Sequence, residues 1–126
     1  MNESNFNEFL LELSEATDHT MLAKNNGQYA KGSEDKLHNF HAGAEINGST
    51  PAQACWGYLT KHLTALRDKV QRNDFSDRDD LKEKCMDSIN YIRFIWLLGN
   101  EEIEKQRGVE KVSKNDTYSP VFYEED

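Results

Sequence analysis

No stretch of this chain is apolar for long enough to span a bilayer, and the first residues, MNESNFNEF, are polar and acidic where a secretory leader would be basic and then apolar. The cytoplasm is therefore the expected compartment, with no membrane partner. Cysteine is scarce. Cys55 and Cys85 both fall on apolar faces of expected helices, which argues for free thiols and against a disulfide framework or a zinc cluster. The chain also lacks a glycine-rich phosphate loop, a nucleophile elbow, a zinc-ligand cluster and a dinucleotide fingerprint. No segment alternates as a strand would, and no internal repeat is present. Positive charge is in deficit, 15 Lys and Arg against 23 Asp and Glu, giving a formal charge of -8 and disfavouring nucleic acid as a main partner.

What is present is helical periodicity. The stretch from Leu81 to Leu98, LKEKCMDSINYIRFIWLL, is the most apolar and most regularly spaced. Leu81, Cys85, Ile89, Ile92 and Trp96 give one stripe, and Tyr91, Phe94, Ile95 and Leu98 make the other side apolar too, so this helix is expected to form the core. Residues 5–16 read as a short amphipathic helix with Phe6, Phe9, Leu10 and Leu13 on the docking stripe. Ser33 followed by Glu34 and Asp35 marks the start of a second helix ending at Asn47 and Gly48. Thr50, Pro51 and Gln53 form a capping-box signature for a third, running to about Arg72 with Cys55, Leu59, Leu63, Leu66 and Val70 as its buried stripe. Short connections between long helices imply antiparallel neighbours. The expectation is an all-α bundle of four principal helices over residues 1–104, with a charged and aromatic tail over 105–126.

Chemistry is hinted at by polar residues set into the apolar helices. Glu83 and Asp87 are one turn apart on the core helix, followed by Asn90, and two acids at that spacing can point at one divalent cation such as magnesium. Glu34, Asp35 and Glu45 of the second helix, or Asp68 of the third, are candidates to complete the set. The plainer alternative is a pair of surface acids on an acidic chain. On the third helix Lys61 and Asp68 share one side and His62 flanks the apolar stripe. A cation and an acid there suit a bound phosphate and its metal; a solvated ion pair beside a boundary histidine is the alternative.

Taken together, YAKGSEDKLHNF, TPAQACWGYLTKHLTALRD and KEKCMDSINYIRFIWLL resemble a group of small proteins common in bacteriophages and prophages. That group is in turn distantly similar to the all-α nucleoside triphosphate pyrophosphohydrolases, the MazG-like and dimeric dUTPase superfamily. The resemblance covers residues 24 to 98 and is carried by Tyr29, Gly32, Asn39, Phe40, Lys61, His62, Asp68, Asp87, Asn90 and Tyr91, among others. It implies a helical bundle in which acidic motifs, ExxE and ExxD, hold magnesium while water attacks a phosphate chain. This sequence departs from both motifs, with Lys84 at the first acid of ExxD and Lys61, His62 and Asp68 in place of ExxE.

Two functions follow as expectations. In one, magnesium held by Glu83, Asp87 and Asp68 activates water for hydrolysis of a nucleoside triphosphate, with Asp87 and Glu83 catalytic. Tyr29, Asn39, Lys61, His62 and Asn90 then contact the nucleotide. In the other, a non-catalytic phage counter-defence protein sequesters a nucleotide-derived signal or inhibits a host protein. The apolar surplus of the core helix adds the expectation of a homo-oligomer.

Overall fold

A computed structural model of the chain describes residues 1–22 and 37–108. Four α-helices account for nearly all of them: α1 (Glu3–Leu22), α2 (His38–Asn47), α3 (Pro51–Gln71) and α4 (Arg78–Arg107). The all-α fold with four helices is as expected from periodicity. Tyr29, the expected Ser33 start of the second helix and the aromatic tail lie outside the described residues.

Local chemistry sets the helix ends. Thr50 accepts from the Gln53 backbone N–H at 3.1 Å while the Thr50 N–H donates to Gln53 Oε1 at 2.9 Å, so the capping box is complete. Gly48 ends α2 in the left-handed region, φ 68°, a conformation glycine adopts without strain. Asn73 takes φ 55° after α3, and the next N–H, of Asp74, returns to the Lys69 carbonyl at 2.9 Å. Asp77 caps α4 by accepting from the Asp80 N–H.

Helix α3 and helix α4 form an antiparallel hairpin. Lys69 meets Asp80 at 2.7 Å near the turn, and the Cys55 thiol donates to the Tyr91 carbonyl at 3.5 Å near the far end. Phe40 of α2 closes over the hairpin: its ring centre lies 5.0 Å from Phe94, 6.0 Å from Tyr58 and 6.2 Å from Tyr91. Leu37, Phe40, Cys55, Phe94 and Leu98 make the buried core, with Met21, Ala52, Tyr91 and Ile95 packed around it. Helix α1 runs alongside α4, tied by Glu12 to Arg78 (2.6 Å) and Lys82 (3.0 Å) and by Asp18 to Arg93 (2.7 Å). No helix among the described residues is long and apolar enough to cross a membrane.

Three stripes are used differently from the sequence expectation. Phe6, Phe9 and Leu10 of α1 are exposed, and the arginine of the Arg78–Glu12 pair lies over the Phe9 ring at 5.2 Å. Leu63 and Val70 of α3 are exposed although Cys55 and Leu59 are buried. On α4 the buried residues are Ser88, Asn90, Phe94 and Leu98, while Ile92 and Trp96 face outward. Two residues, about 200° of rotation, separate the row of Ile92 and Trp96 from the row of Phe94 and Leu98: α4 is apolar over most of its girth, and the packing partners, not the period, select the buried side.

Candidate functional site

Seven-residue steps along the α3–α4 seam bring polar residues into the core edge. His62 lies seven after Cys55, and its Nδ1 stands 3.8 Å from Asp87 Oδ2, with both side chains mostly covered. That separation is too long for a hydrogen bond and close enough for a charge interaction when the imidazole is protonated. The His62 ring stacks on Tyr91 at 4.8 Å and 19°, and Tyr91 in turn stacks on Tyr58 at 6.0 Å and 24°. The result is a short pile of flat rings, His62, Tyr91 and Tyr58, capped edge-on by Phe40 and bordered by Asp87.

Asp87 is raised above its ordinary carboxyl value. Burial is the main cause, His62 opposes it, the neighbouring Glu83 carboxylate adds to it, and Lys84 opposes it. Glu83 itself is exposed. Lys84 is held elsewhere, by Asp80 at 2.8 Å.

Asn90 is the sharpest feature. Its side chain is completely buried, and neither Nδ2 nor Oδ1 has a hydrogen-bond partner among the described residues. It lies three residues after Asp87 and four before Phe94, and so on the same side of α4 as both. Met86, four residues before it, meets Thr20 of α1 at 3.6 Å. Asn90 thus occupies the strip of α4 between the row that meets α1 and the row that meets α2. Buried amides left unpaired are uncommon and costly.

The remaining expected residues separate from this group. Asp68 is paired with its neighbour Arg67 at 3.0 Å. Lys61 is exposed and lies about 100° around α3 from His62. Asn39 is half-buried on α2, next to Phe40. Among the described residues no three His, Cys, Asp or Glu side chains gather closely enough to hold a metal ion. The set Glu83, Asp87 and Asp68 is therefore not assembled as a three-carboxylate cradle.

No family model, curated protein or solved structure matches this chain. The site must be read from its own geometry.

Two residues outside the sequence expectation matter. Tyr58 belongs to the ring pile, and its position four before His62 was the available signal. Lys69 is buried and donates to Asp80 (2.7 Å) and to the Asp74 carbonyl (3.2 Å). Hydrogen bonds from Lys69 and Lys84 hold the Asp80 carboxyl down at about 2, so this cluster is a charged clamp on the hairpin turn. The thiols are structural: both are free, and burial pushes Cys55 up to about 12, far from a reactive thiolate.

Proposed function

We propose that this chain is a nucleotide-binding helical protein of the phage-type group it resembles, with its ligand seat on α4 around Asn90 and Asp87. The observation that carries this reading is the buried, unpaired amide of Asn90. A primary amide offers one acceptor and two donors in a plane, which complements the donor and acceptor edge of a nucleobase. The neighbouring rings of Tyr91, His62 and Tyr58 supply the flat apolar surroundings such a base prefers, and Asp87 supplies a partly desolvated carboxyl for sugar hydroxyls. Because Asn90 is fully covered, binding is coupled to a local opening of the packing around it.

Binding without turnover is the primary form, because the acids do not assemble a metal cradle among the described residues. A magnesium-dependent hydrolase is the second form. Glu83 lies near enough to Asp87 to push its carboxyl upward, and mutual repulsion of two acids is what a cation relieves. No catalytic step is assigned to the ion.

The test is a panel of nucleoside triphosphates, monophosphates and cyclic nucleotides with the purified protein and magnesium, followed by thermal shift and by chromatography of the recovered nucleotide. A raised Tm with the nucleotide intact supports the binder. Product formation that disappears in Asp87→Asn supports the hydrolase. No shift and no product across the panel contradicts both.

A further inference from the structure

A ligand reaches the covered amide of Asn90 only if one of the surrounding helices yields, and the helices differ in what holds them. Between them α3 and α4 bury Cys55, Leu59, Phe94 and Leu98, and α2 buries Phe40 and Ala44. Helix α1 buries a single side chain, Thr17, with Met21 at the border of the core, and leaves Phe6, Phe9, Leu10 and Leu11 exposed. Displacing α1 therefore forfeits the least apolar burial.

Helix α1 also lies beside the amide without serving it. Met86 and Arg93, four residues before Asn90 and three after it on the same side of α4, both touch α1, through Thr20 at 3.6 Å and Asp18 at 2.7 Å. Segment 17–21 of α1 thus runs along the row that contains Asn90. Its threonines turn their hydroxyls back into α1: Thr17 donates to the Ser14 carbonyl at 2.9 Å and Thr20 to the Ala16 carbonyl at 3.1 Å. No hydrogen bond to Asn90 is lost when this segment moves.

What holds the segment is ionic. Asp18 accepts one hydrogen bond from the Arg93 guanidinium, and the two side chains are 53% and 40% exposed, so the pair is open to exchange. Farther along, Glu12 accepts two hydrogen bonds from Arg78 and one from Lys82, so that part of α1 is anchored more firmly. Over residues 83–97, α4 carries two cations, Lys84 and Arg93. Lys84 is held by Asp80 at 2.8 Å, which leaves Arg93 as the α4 cation beside the amide. A guanidinium presents a planar fork of donors, and a phosphate offers it more charge and more acceptor oxygens than a carboxylate does.

Resting on the nucleotide reading of the Asn90 seat, we propose that the Asp18–Arg93 pair is the latch of that seat: a phosphate of the incoming nucleotide takes Arg93 from Asp18, and segment 17–21 yields as the base engages Asn90. Arg93 is then the residue that makes the site select nucleotides over nucleosides. On a chain of net charge -8, a cation at the mouth offsets the repulsion that a phosphate meets elsewhere on the surface.

The experiment is titration calorimetry of the full chain with the ribonucleoside 5′-triphosphates and the matching nucleosides, comparing wild type with Asp18→Asn, Arg93→Gln, Arg93→Lys and Asn90→Leu. Far-UV circular dichroism verifies the helices of each variant, and hydrogen exchange follows α1 against α3. Asp18→Asn and Arg93→Gln lose the same ion pair, but only the first keeps the cation. Asp18→Asn is expected to tighten triphosphates and nucleosides by about threefold, because opening costs less. Arg93→Gln is expected to tighten nucleosides by a similar factor and to weaken triphosphates roughly tenfold, and Arg93→Lys to recover most of that loss. In ligand-free Asp18→Asn, exchange across residues 17–21 is expected to rise about threefold with α3 unchanged. A pair with a merely structural role moves both variants in one direction for every ligand, and that result overturns the proposal. So does a segment 17–21 that exchanges as slowly as α3 and ignores Asp18→Asn. The nucleotide reading fails, and the latch with it, if nothing in the panel binds wild type or if Asn90→Leu binds as wild type does. Loss of binding in Asn90→Leu with unchanged affinities in Arg93→Gln overturns the latch alone.

Discussion

Replacing Asn90 by leucine separates what this residue costs the fold from what it gives a ligand. The leucine branch follows the outline of the amide but carries no donor or acceptor. Burial of an amide with no partner costs roughly 1 to 3 kcal/mol. The bulkier methyl groups offset about 1 kcal/mol of the relief through tighter packing. The ligand-free variant should therefore be more stable than wild type by about 1 kcal/mol, or about 4 °C in Tm for a domain of this size. A nucleotide at about a hundred times its Kd stabilises wild type by roughly 2.7 kcal/mol, and this increment should vanish in the variant. Urea unfolding gives the first quantity and thermal shift with nucleotide gives the second. A ligand-free loss of more than about 2 kcal/mol would refute the reasoning, because it would mean that the amide is already well served by the fold. Retention of the full nucleotide shift would refute the assignment of Asn90 to the ligand.

Other predictions follow from the same geometry. The folded state holds the Asp87 proton more tightly than the unfolded state, so the contribution of Asp87 to stability is greatest below the ordinary value of 3.8 and is lost as pH rises through the raised folded value. Asp87→Asn should thus raise Tm near neutral pH and bring no gain at about pH 3; a neutral-pH loss in ligand-free protein would contradict this. Glu12 is held at about 2, below its ordinary 4.5, by hydrogen bonds from Arg78 and Lys82, so its contribution is present above 4.5 and is lost as pH falls toward 2. Glu12→Gln should speed amide exchange across α1 near neutrality and leave it unchanged at the acid end, whereas equal rates at both would exclude Glu12 as the anchor of α1. Thr50→Ala removes one half of the capping box and should cost about 1 kcal/mol, read as a Tm lowered by about 4 °C.

Helix ends and helix existence were legible in the sequence because both depend on near neighbours. Thr50, Pro51 and Gln53 announce the start of α3 in three residues, and Gly48 announces the end of α2. Which side of each helix is buried was much less legible. Helix α4 carries apolar residues on nearly every side, so the period alone cannot choose between the row of Ile92 and Trp96 and the row of Phe94 and Leu98. Helix α2 makes that choice by placing Phe40 against Phe94. The site divides the same way. Asp87, His62 and Asn90 drew attention as polar residues within apolar surroundings, and the fold brings the first two within 3.8 Å and buries the third. Asp68 and Lys61 shared a helix with His62 but not its direction, and Tyr58 entered the ring pile through a contact across two helices that local spacing expresses only faintly.

The central claim is that the Asn90 amide receives the ligand, and its side-chain NH2 signals report on that directly. In a proton–nitrogen correlation spectrum these signals are identified by their loss in Asn90→Leu. Addition of the nucleotide that gives the largest thermal shift should move both Asn90 side-chain resonances downfield as the amide gains a hydrogen-bond partner. Resonances that stay in place while the nucleotide binds would contradict the account and put the ligand elsewhere on the bundle.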